Sequence, residues 1–349
     1  MSRPLNRRVL LKERPTGIPQ AAHFQLDEAL VQPLQDGEVL IRNDWLSVEP
    51  AMRGWVSAVR NYSEPVEIGA VMRSFAAGIV VASRDPTVKE GAHVTGLFGW
   101  QDYAVVRASG IERVVTESDL PLATALGVMG INGVTAHYGL LEIGRPRAGE
   151  TVVVSTAAGS VGSCVGQIAR ILGCRTVGVT GGPHKMRLCE KTFGFDATVD
   201  YKAPDFETRL AEACRGGVDV YFDNTAGAIS DAVMAHLRPG ARVVICGTSS
   251  ISSWEPTPMG PRVERRLLVN RASMQGFVIF DHADHFAAAR RDLAQWLRSG
   301  RLRYLEDVLD GLDKAPDAIA GLYRGENLGK RLIRVRPEAG AGVAGATLE

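Results

Sequence analysis

Residues 151–180, TVVVSTAAGSVGSCVGQIARILGCRTVGVT, carry the residue types and spacing most able to do chemistry. Val152, Val153 and Val154 are a continuous β-branched run, too short for a helix and suited to a parallel strand buried on both faces. A turn of small residues follows, with Ala157, Gly159 and Gly162 in the places of a G-x-G-x-x-G fingerprint. Val161, Val165, Ile168 and Leu172 then recur at helical spacing until Gly173, and Arg175 to Thr180 reads as a second strand. Such a turn offers backbone N–H groups and the positive end of a helix dipole to an anion, and a pyrophosphate reaches them only where side chains are absent. Ala158 and Gly159 allow that approach, while Gly162 lets the helix pack on the strand. A glycine-rich turn in any α/β protein would look similar. The complete strand, turn, helix and strand in one short unit favours a dinucleotide site.

The end of the second strand selects between dinucleotides. It reads Thr180, Gly181, Gly182, Pro183, His184, Lys185, without the Asp or Glu that would bind the ribose hydroxyls of NAD. A neutral glycine turn followed by Lys185 suits a 2′-phosphate, so NADPH/NADP+ is the expected cofactor. An ordinary solvated lysine at a helix start is the alternative.

The totals narrow the partners. Lys plus Arg number 40 and Asp plus Glu 39 in 349 residues, so no global field favours nucleic acid or an anionic membrane, and a small-molecule substrate is expected. No apolar run reaches membrane-spanning length, and the start, MSRPLNRRVLLKERP, has no hydrophobic signal core. A soluble, cytoplasmic protein is the expectation. Cys164, Cys174, Cys189, Cys214 and Cys246 are an odd set without close pairs, as buried thiols in a reducing compartment would be.

The elements that must position the turn form two textures. Before about Leu120, short apolar runs at Glu38–Asn43, Gly78–Ser83, His93–Leu97 and Tyr103–Arg107 are punctuated by Gly and Pro, which predicts a small barrel-like β unit. The long stretch from Ser47 to Met72 between them is rich in Met, Arg, Trp and Tyr, as a segment lining a site would be. Beyond it, helical and strand patterns alternate. Helices are expected near Glu207–Cys214 and Ala283–Ser299, and strands near Val218–Asn224, Ala241–Gly247 and Gly276–Phe280, with Pro239-Gly240 as a stop. The organisation expected is residues 1–125 as one domain, 126–300 as a doubly wound dinucleotide domain, 301–337 returning to the first, and 338–349 a flexible tail.

Six strings in order, VEPAMRGW from Val48, LGVMGINGVTAHYGLLEIG from Leu126, AAGSVG from Ala157, VDVYFDNTAG from Val218, MQGFVIFDH from Met274 and GENLGK from Gly325, carry a family likeness. The chain resembles the medium-chain dehydrogenase/reductase superfamily, in its zinc-independent branch of prostaglandin, alkenal and curcumin reductase-like proteins. The resemblance implies an α/β fold with a Rossmann doubly wound parallel sheet and a GroES-like β-barrel-type domain. It implies that Gly159, Ser160, Val161 and Gly162 cradle the pyrophosphate, that Lys185 and Tyr201 face the 2′-phosphate, and that Asn224 lies near the ribose. It places Cys246, Gly247 and Asn327 beside the cofactor and the backbone of Phe277 and Val278 near the nicotinamide, and it suggests a homodimer. Read as residues alone, Asn224 could equally end a strand and Phe277 fill a core.

A catalytic zinc of the alcohol-dehydrogenase kind needs a cysteine in the first domain, and none precedes Cys164. His282 and His285 make an H-x-x-H spacing, but Asp281 and Asp284 beside them favour a solvated helix start. No metal is expected. A positioned hydride and a donor on a carbonyl oxygen suffice to reduce an activated alkene, so the expected reaction is NADPH-dependent reduction of α,β-unsaturated ketones or aldehydes. A zinc-independent quinone reductase and a non-catalytic NADPH-binding protein are the alternatives. Relatives commonly have a Tyr in the turn after the Cys-Gly pair. Here the string is CGTSSISSWEP, with Ser252 in its place and Trp254 close by. Tyr62 is the substitute candidate for a phenol that bonds the carbonyl oxygen, although it could anchor a loop. Arg53 and Trp55 are expected at the mouth of the substrate pocket with Tyr62 and Trp254, or on an amphipathic surface turn.

Overall fold

The computed structural model describes residues 3–59, 61–251, 256 and 258–336. The β-rich part supplies β1 (Leu5–Leu11), β2 (Phe24–Leu30), β3 (Glu38–Ser47), β4 (Ala76–Ser83), β5 (His93–Gly96), β6 (Tyr103–Arg107) and β7 (Ile111–Val114). β1 and β2 form an antiparallel ribbon, while β3 bonds both β4 and β6 in an antiparallel sheet. Within the stretch expected to line a site, a single helical turn, α1 (Met52–Trp55), breaks the irregular chain.

The second part alternates as α2 (Ile131–Tyr138), β8 (Thr151–Ser155), α3 (Ser160–Ile171), β9 (Arg175–Thr180), α4 (Pro183–Lys191) and β10 (Ala197–Asp200). It continues with α5 (Phe206–Ala213), β11 (Val218–Asp223), α6 (Gly227–Met234), β12 (Leu237–Ile245), α7 (Glu264–Asn270), β13 (Ser273–Gly276) and α8 (Phe286–Arg298). Its six strands run parallel in the order β10-β9-β8-β11-β12-β13, the doubly wound Rossmann arrangement. Both faces are covered, which is why the strands read as unbroken apolar runs. Val152, Val154, Val220 and Phe222 pack in one core, with residues of α2, α3 and α8. Val153, Val177, Tyr221 and Val243 pack in a second core on the opposite face.

The chain then returns. β14 (Glu306–Asp310), α9 (Ala315–Arg324) and β15 (Lys330–Arg334) leave the parallel sheet, and β15 pairs antiparallel with β3, Leu332 opposite Ser47. Leu312, Ile319, Leu332 and Ile333 are buried in the same core as Val39, Ile41 and Trp100.

Two elements differ from their sequence reading. Pro239-Gly240 lies inside β12 rather than stopping before it, because the ladder to β11 is irregular there: Leu237 pairs with Val218 and the next partners are Arg242 and Val220. β13 ends at Gly276 rather than beginning there. The apolar residues Phe277 and Ile279 leave the ladder to pack against α2 and α8, and a 3₁₀ stretch, Ile279–His285, follows.

A buried ion pair pins the return to both parts. Lys330 donates from Nζ to Glu49 Oε1 at 2.7 Å, Ser47 Oγ at 2.6 Å and the Val48 carbonyl at 3.1 Å, and Asn132 of α2 donates to Glu49 Oε2 at 3.1 Å. Lys330 and Glu49 are 4% and 6% exposed, so each depends on the other for its charge to be tolerated. Burial holds the Lys330 ammonium below its ordinary pKa, and Glu49 opposes that shift. Lys330→Met should therefore cost about 3–5 kcal/mol in urea unfolding, because it strands a carboxylate. Adding Glu49→Gln should recover much of the loss. Arg298→Ala, which breaks an exposed pair with Asp119, should leave the midpoint unmoved. A Lys330→Met melt like that of Arg298→Ala would show that the buried pair has no such role.

Candidate active site

β8 ends at Ser155 and the chain turns through Thr156 at φ 56°, a left-handed conformation unusual for a β-branched residue. That turn aims the backbone of Ala157, Ala158 and Gly159 across the start of α3. A Cβ on Gly162 would lie 2.2 Å from the Thr156 carbonyl oxygen, whereas one on Gly159 would meet the Thr156 methyl at 3.0 Å and its carbonyl oxygen at 3.2 Å. Gly162 is thus required for helix-to-strand packing, and Gly159 leaves the approach to the helix open. The loop before β15 closes over this turn: the Gly329 N–H donates to the Ala158 carbonyl at 3.0 Å, and Asn327 Nδ2 donates to the Gly329 carbonyl at 3.0 Å. Ser160 and Val161, the first two residues of α3, are partly exposed at its open end.

Cations gather at the ends of β9 and β10. The Lys185 ammonium is held below its ordinary value, first by burial and then by Lys202 and Arg331, with Asp307 acting in the opposite direction. Lys202 Nζ stands 5.8 Å from the Tyr201 ring centre, and both side chains flank Gly181, where a Cβ would sit 3.0 Å from Tyr201 and 3.1 Å from Lys202. Tyr201 stands against the glycine turn at Gly181, and Lys185 of α4 is near enough to Lys202 for the two charges to repel. Lys202 was missed, although it directly follows Tyr201 in sequence.

The strand order reverses between β8 and β11, and a buried carboxylate organises that point. Asp223 Oδ1 accepts from Ser155 Oγ, Tyr221 Oη, the Thr225 N–H and the Ala226 N–H at 2.9 to 3.2 Å. Ala226 has φ 57°, a conformation costing about 1–3 kcal/mol that these bonds hold in place. The Asn224 amide donates to the Ser155 carbonyl at 2.7 Å, and a Cβ on Gly247 would lie 3.0 Å from the Asn224 carbonyl oxygen. Burial, with Asp223 nearby, pushes the Cys246 thiol up to about 12, so it stays protonated. Phe277 packs on the Tyr138 ring at 5.6 Å and on Gly139, and Val278 caps the following 3₁₀ stretch.

The β-rich part faces this edge with Tyr62, which is 55% exposed. Its phenol is raised above its ordinary value by burial and by the charges of Glu49 and Cys246, with Trp55 acting in the opposite direction. Phe75 stacks on Phe280 at 6.1 Å across the same gap. Trp55 does not sit at a mouth: it is 3% exposed and packs edge-on to Phe75 at 6.3 Å, because α1 turns its apolar side into the barrel core. Arg53 is likewise buried, its guanidinium 4.9 Å from the Tyr323 ring centre. Ser252 and Trp254 lie outside the described residues. Glu49 and Asp223, inside the strings VEPAMRGW and VDVYFDNTAG, were passed over as individual residues.

Residues 7–114 match the family model described as the N-terminal domain of oxidoreductase, and residues 160–295 match the one described as zinc-binding dehydrogenase. The chain is 40% identical over 337 residues to the NADPH-dependent curcumin reductase of Escherichia coli, covering 95% of this chain and 97% of that protein. It belongs to the medium-chain dehydrogenase/reductase superfamily. The 2-alkenal reductase (NADP(+)-dependent) of Nicotiana tabacum, another relative, is 32% identical over 95% of this chain and 98% of its own length. CurA from Vibrio vulnificus in complex with NADPH superposes with a TM-score of 0.89 at 40% identity, covering 95% of this chain and 99% of that one. Among the described residues no group of three or more His, Cys, Asp or Glu is placed to hold a metal ion. His282 instead stacks on Tyr138 at 4.1 Å, and His285 lies 3.3 Å from Glu142. No helix among the described residues is long and apolar enough to cross a membrane.

Gly162→Ala tests the turn. Its methyl would meet backbone, so the structure must shift, with a loss of about 1–3 kcal/mol in stability and of dinucleotide affinity together. Unchanged melting and unchanged NADPH binding, read by protein fluorescence, would contradict the packing described.

Proposed function

We propose that this chain uses NADPH to reduce the carbon–carbon double bond of α,β-unsaturated ketones and aldehydes. It is an NADP-dependent oxidoreductase, as its relatives are. The observation that carries the cofactor half of the reading is Lys202 and Tyr201 flanking the glycine turn at Gly181, with Lys185 near enough to Lys202 to feel its charge, where an NAD site would place a carboxylate. The substrate half is supported by the double-bond chemistry that the names of the alkenal and curcumin reductases imply, and by a cleft offering a phenol and aromatic walls.

NADPH supplies a hydride when bound. Gly159, Ser160, Val161 and Gly162 hold the pyrophosphate against the start of α3, and Lys185, Lys202 and Tyr201 take the 2′-phosphate. Asn224, Cys246 and Gly247 line the ribose side, Asn327 closes over the turn, and the Phe277 and Val278 backbone orients the nicotinamide amide. The Tyr62 phenol donates to the substrate carbonyl oxygen, stabilising the negative charge that grows there as the β-carbon is reduced. Since its pKa is raised, it keeps its proton throughout the neutral range. Phe75 and Phe280 exclude water from one side of the cleft.

NADPH consumption against a panel of enones, enals and quinones, with NADH in parallel, tests this. Turnover is expected with enones and NADPH, giving the saturated product. Tyr62→Phe should lower kcat by roughly 10²-fold without changing NADPH affinity. Lys185→Ala and Lys202→Ala should each raise the KM for NADPH about tenfold and leave that for NADH alone. Turnover on quinones alone would replace the alkene reading, and NADPH binding without turnover would leave a binding protein.

A homodimer in the cytoplasm completes the proposal. β13 is the outer strand of its sheet and all four of its residues are exposed, as are Leu268 and Val269 of neighbouring α7, which suits strand pairing across a two-fold axis. All five cysteines are free thiols, as a reducing compartment requires. A monomer mass by light scattering at micromolar concentration would overturn the dimer.

A further inference from the structure

Glu306, the first residue of β14, is half-buried, and no ion pair to its carboxyl is seen among the described residues. Its Oε1 is buried and has no hydrogen-bond partner among the described residues. Lys330 faces it across the β14–β15 ladder, but the three N–H bonds of that ammonium go to Ser47, Val48 and Glu49. On the next rung Asp307 and Arg331 satisfy each other at 2.8 Å. Desolvation alone pushes the Glu306 carboxyl up to about 7.

Its position gives this isolation a use. Glu306 lines a narrow cavity together with Ser160 and Ser163 of α3, Tyr304 and Lys330, at the foot of the helix end that receives the pyrophosphate. The backbone joins the two directly: the Lys330 N–H donates to the Leu305 carbonyl at 2.9 Å, and the adjacent Gly329 N–H to Ala158 in the turn itself. Of the other titratable groups facing the cavity, Tyr304 is raised above its ordinary value, Cys164 is pushed up to about 12, and Lys330 is held below its ordinary value by burial while paired with Glu49.

We propose that Glu306 couples dinucleotide binding to protonation: as the pyrophosphate settles on α3, the Glu306 carboxylate takes one proton from solvent. The inference rests on the dinucleotide reading of the turn. An anion arriving beside an unpaired carboxylate raises the free energy of the charged form, and protonation removes the repulsion. The neutral carboxyl then offers an O–H donor where the carboxylate could only accept. No other bond is made or broken.

The sign is fixed by the direction of the shift. Below about pH 7 the carboxyl of the free protein is already neutral and affinity is full. Above it each binding event must recruit a proton, so the Kd rises, with a slope approaching about tenfold per pH unit until the higher pKa of the bound form is passed.

NADPH titrations by protein fluorescence from pH 6.5 to 8.5, with heats of binding in two buffers of different ionisation enthalpy, test the proposal. Wild type should show a rising Kd and a buffer-dependent heat corresponding to proton uptake. Glu306→Gln should bind with a nearly constant Kd, close to that of wild type at the acid end, and with a buffer-independent heat. Lys185, held below its ordinary value, and the 2′-phosphate of NADPH titrate in both proteins alike, so only the difference between them reports Glu306. The same slope in both proteins would overturn the proposal, as would the absence of proton uptake in wild type, a result that needs no variant to fold. Absence of NADPH binding at every pH would instead sink the dinucleotide reading and this inference with it.

Discussion

The ion pair of Lys330 and Glu49 is the constraint on which the other contacts depend. It is buried, and its five hydrogen bonds reach the end of β3, the start of β15 and the start of α2, segments far apart in sequence. A buried pair of this kind adds little net stability over an apolar one, since desolvation offsets most of the attraction. What it imposes is position. A lysine and a carboxylate that cannot be left unpaired in the interior fix the return segment against the antiparallel sheet, and Asn132 adds the first turn of α2 to the same point.

The organising groups of the parallel sheet are also polar. Asp223 collects its donors on a single oxygen, and this holds Ala226 in a conformation that alanine otherwise avoids. Thr156 stores similar strain at the end of β8. Both strained residues stand at the point where strand order reverses and ligands bind in folds of this type. Backbone there is aimed outward at a cost met by the cores on either face of the sheet, which are apolar and close-packed.

Much of this was legible in the sequence, for identifiable reasons. The Val152–Val154 run, the glycine turn and the α3 spacing are local patterns, and local patterns survive translation into structure. The absence of an acid after Thr180 and the presence of Lys185 were equally local. Lys202 was next to a named residue, but its relevance depends on β10 lying beside β9, a fact of sheet order rather than of sequence. Trp55 was misplaced for the complementary reason. A composition rich in Trp and Arg looks the same in a pocket wall as in a core, and only the single turn of α1, which directs Trp55 toward Phe75, separates the two. Glu49, Asp223 and Glu306 could not be singled out by type, because a buried carboxylate and a solvated one are the same letter.

Those three carboxylates show how one residue type is given three roles by its partners. Glu49 has a lysine, a hydroxyl and an amide and anchors the return segment. Asp223 has four residues donating to one oxygen and is a brace for the turn. Glu306 has none and is poised between charge states at about 7. Placing a cation beside Glu306 would have been simple, since Lys330 is its cross-strand neighbour. The ammonium turns instead toward Glu49, which leaves the rim of the anion site without a permanent negative charge and without a permanent ion pair. An anion-binding turn flanked by a paired carboxylate would present a dipole that the ligand must displace. One flanked by a carboxyl able to take up a proton adjusts its charge to the ligand.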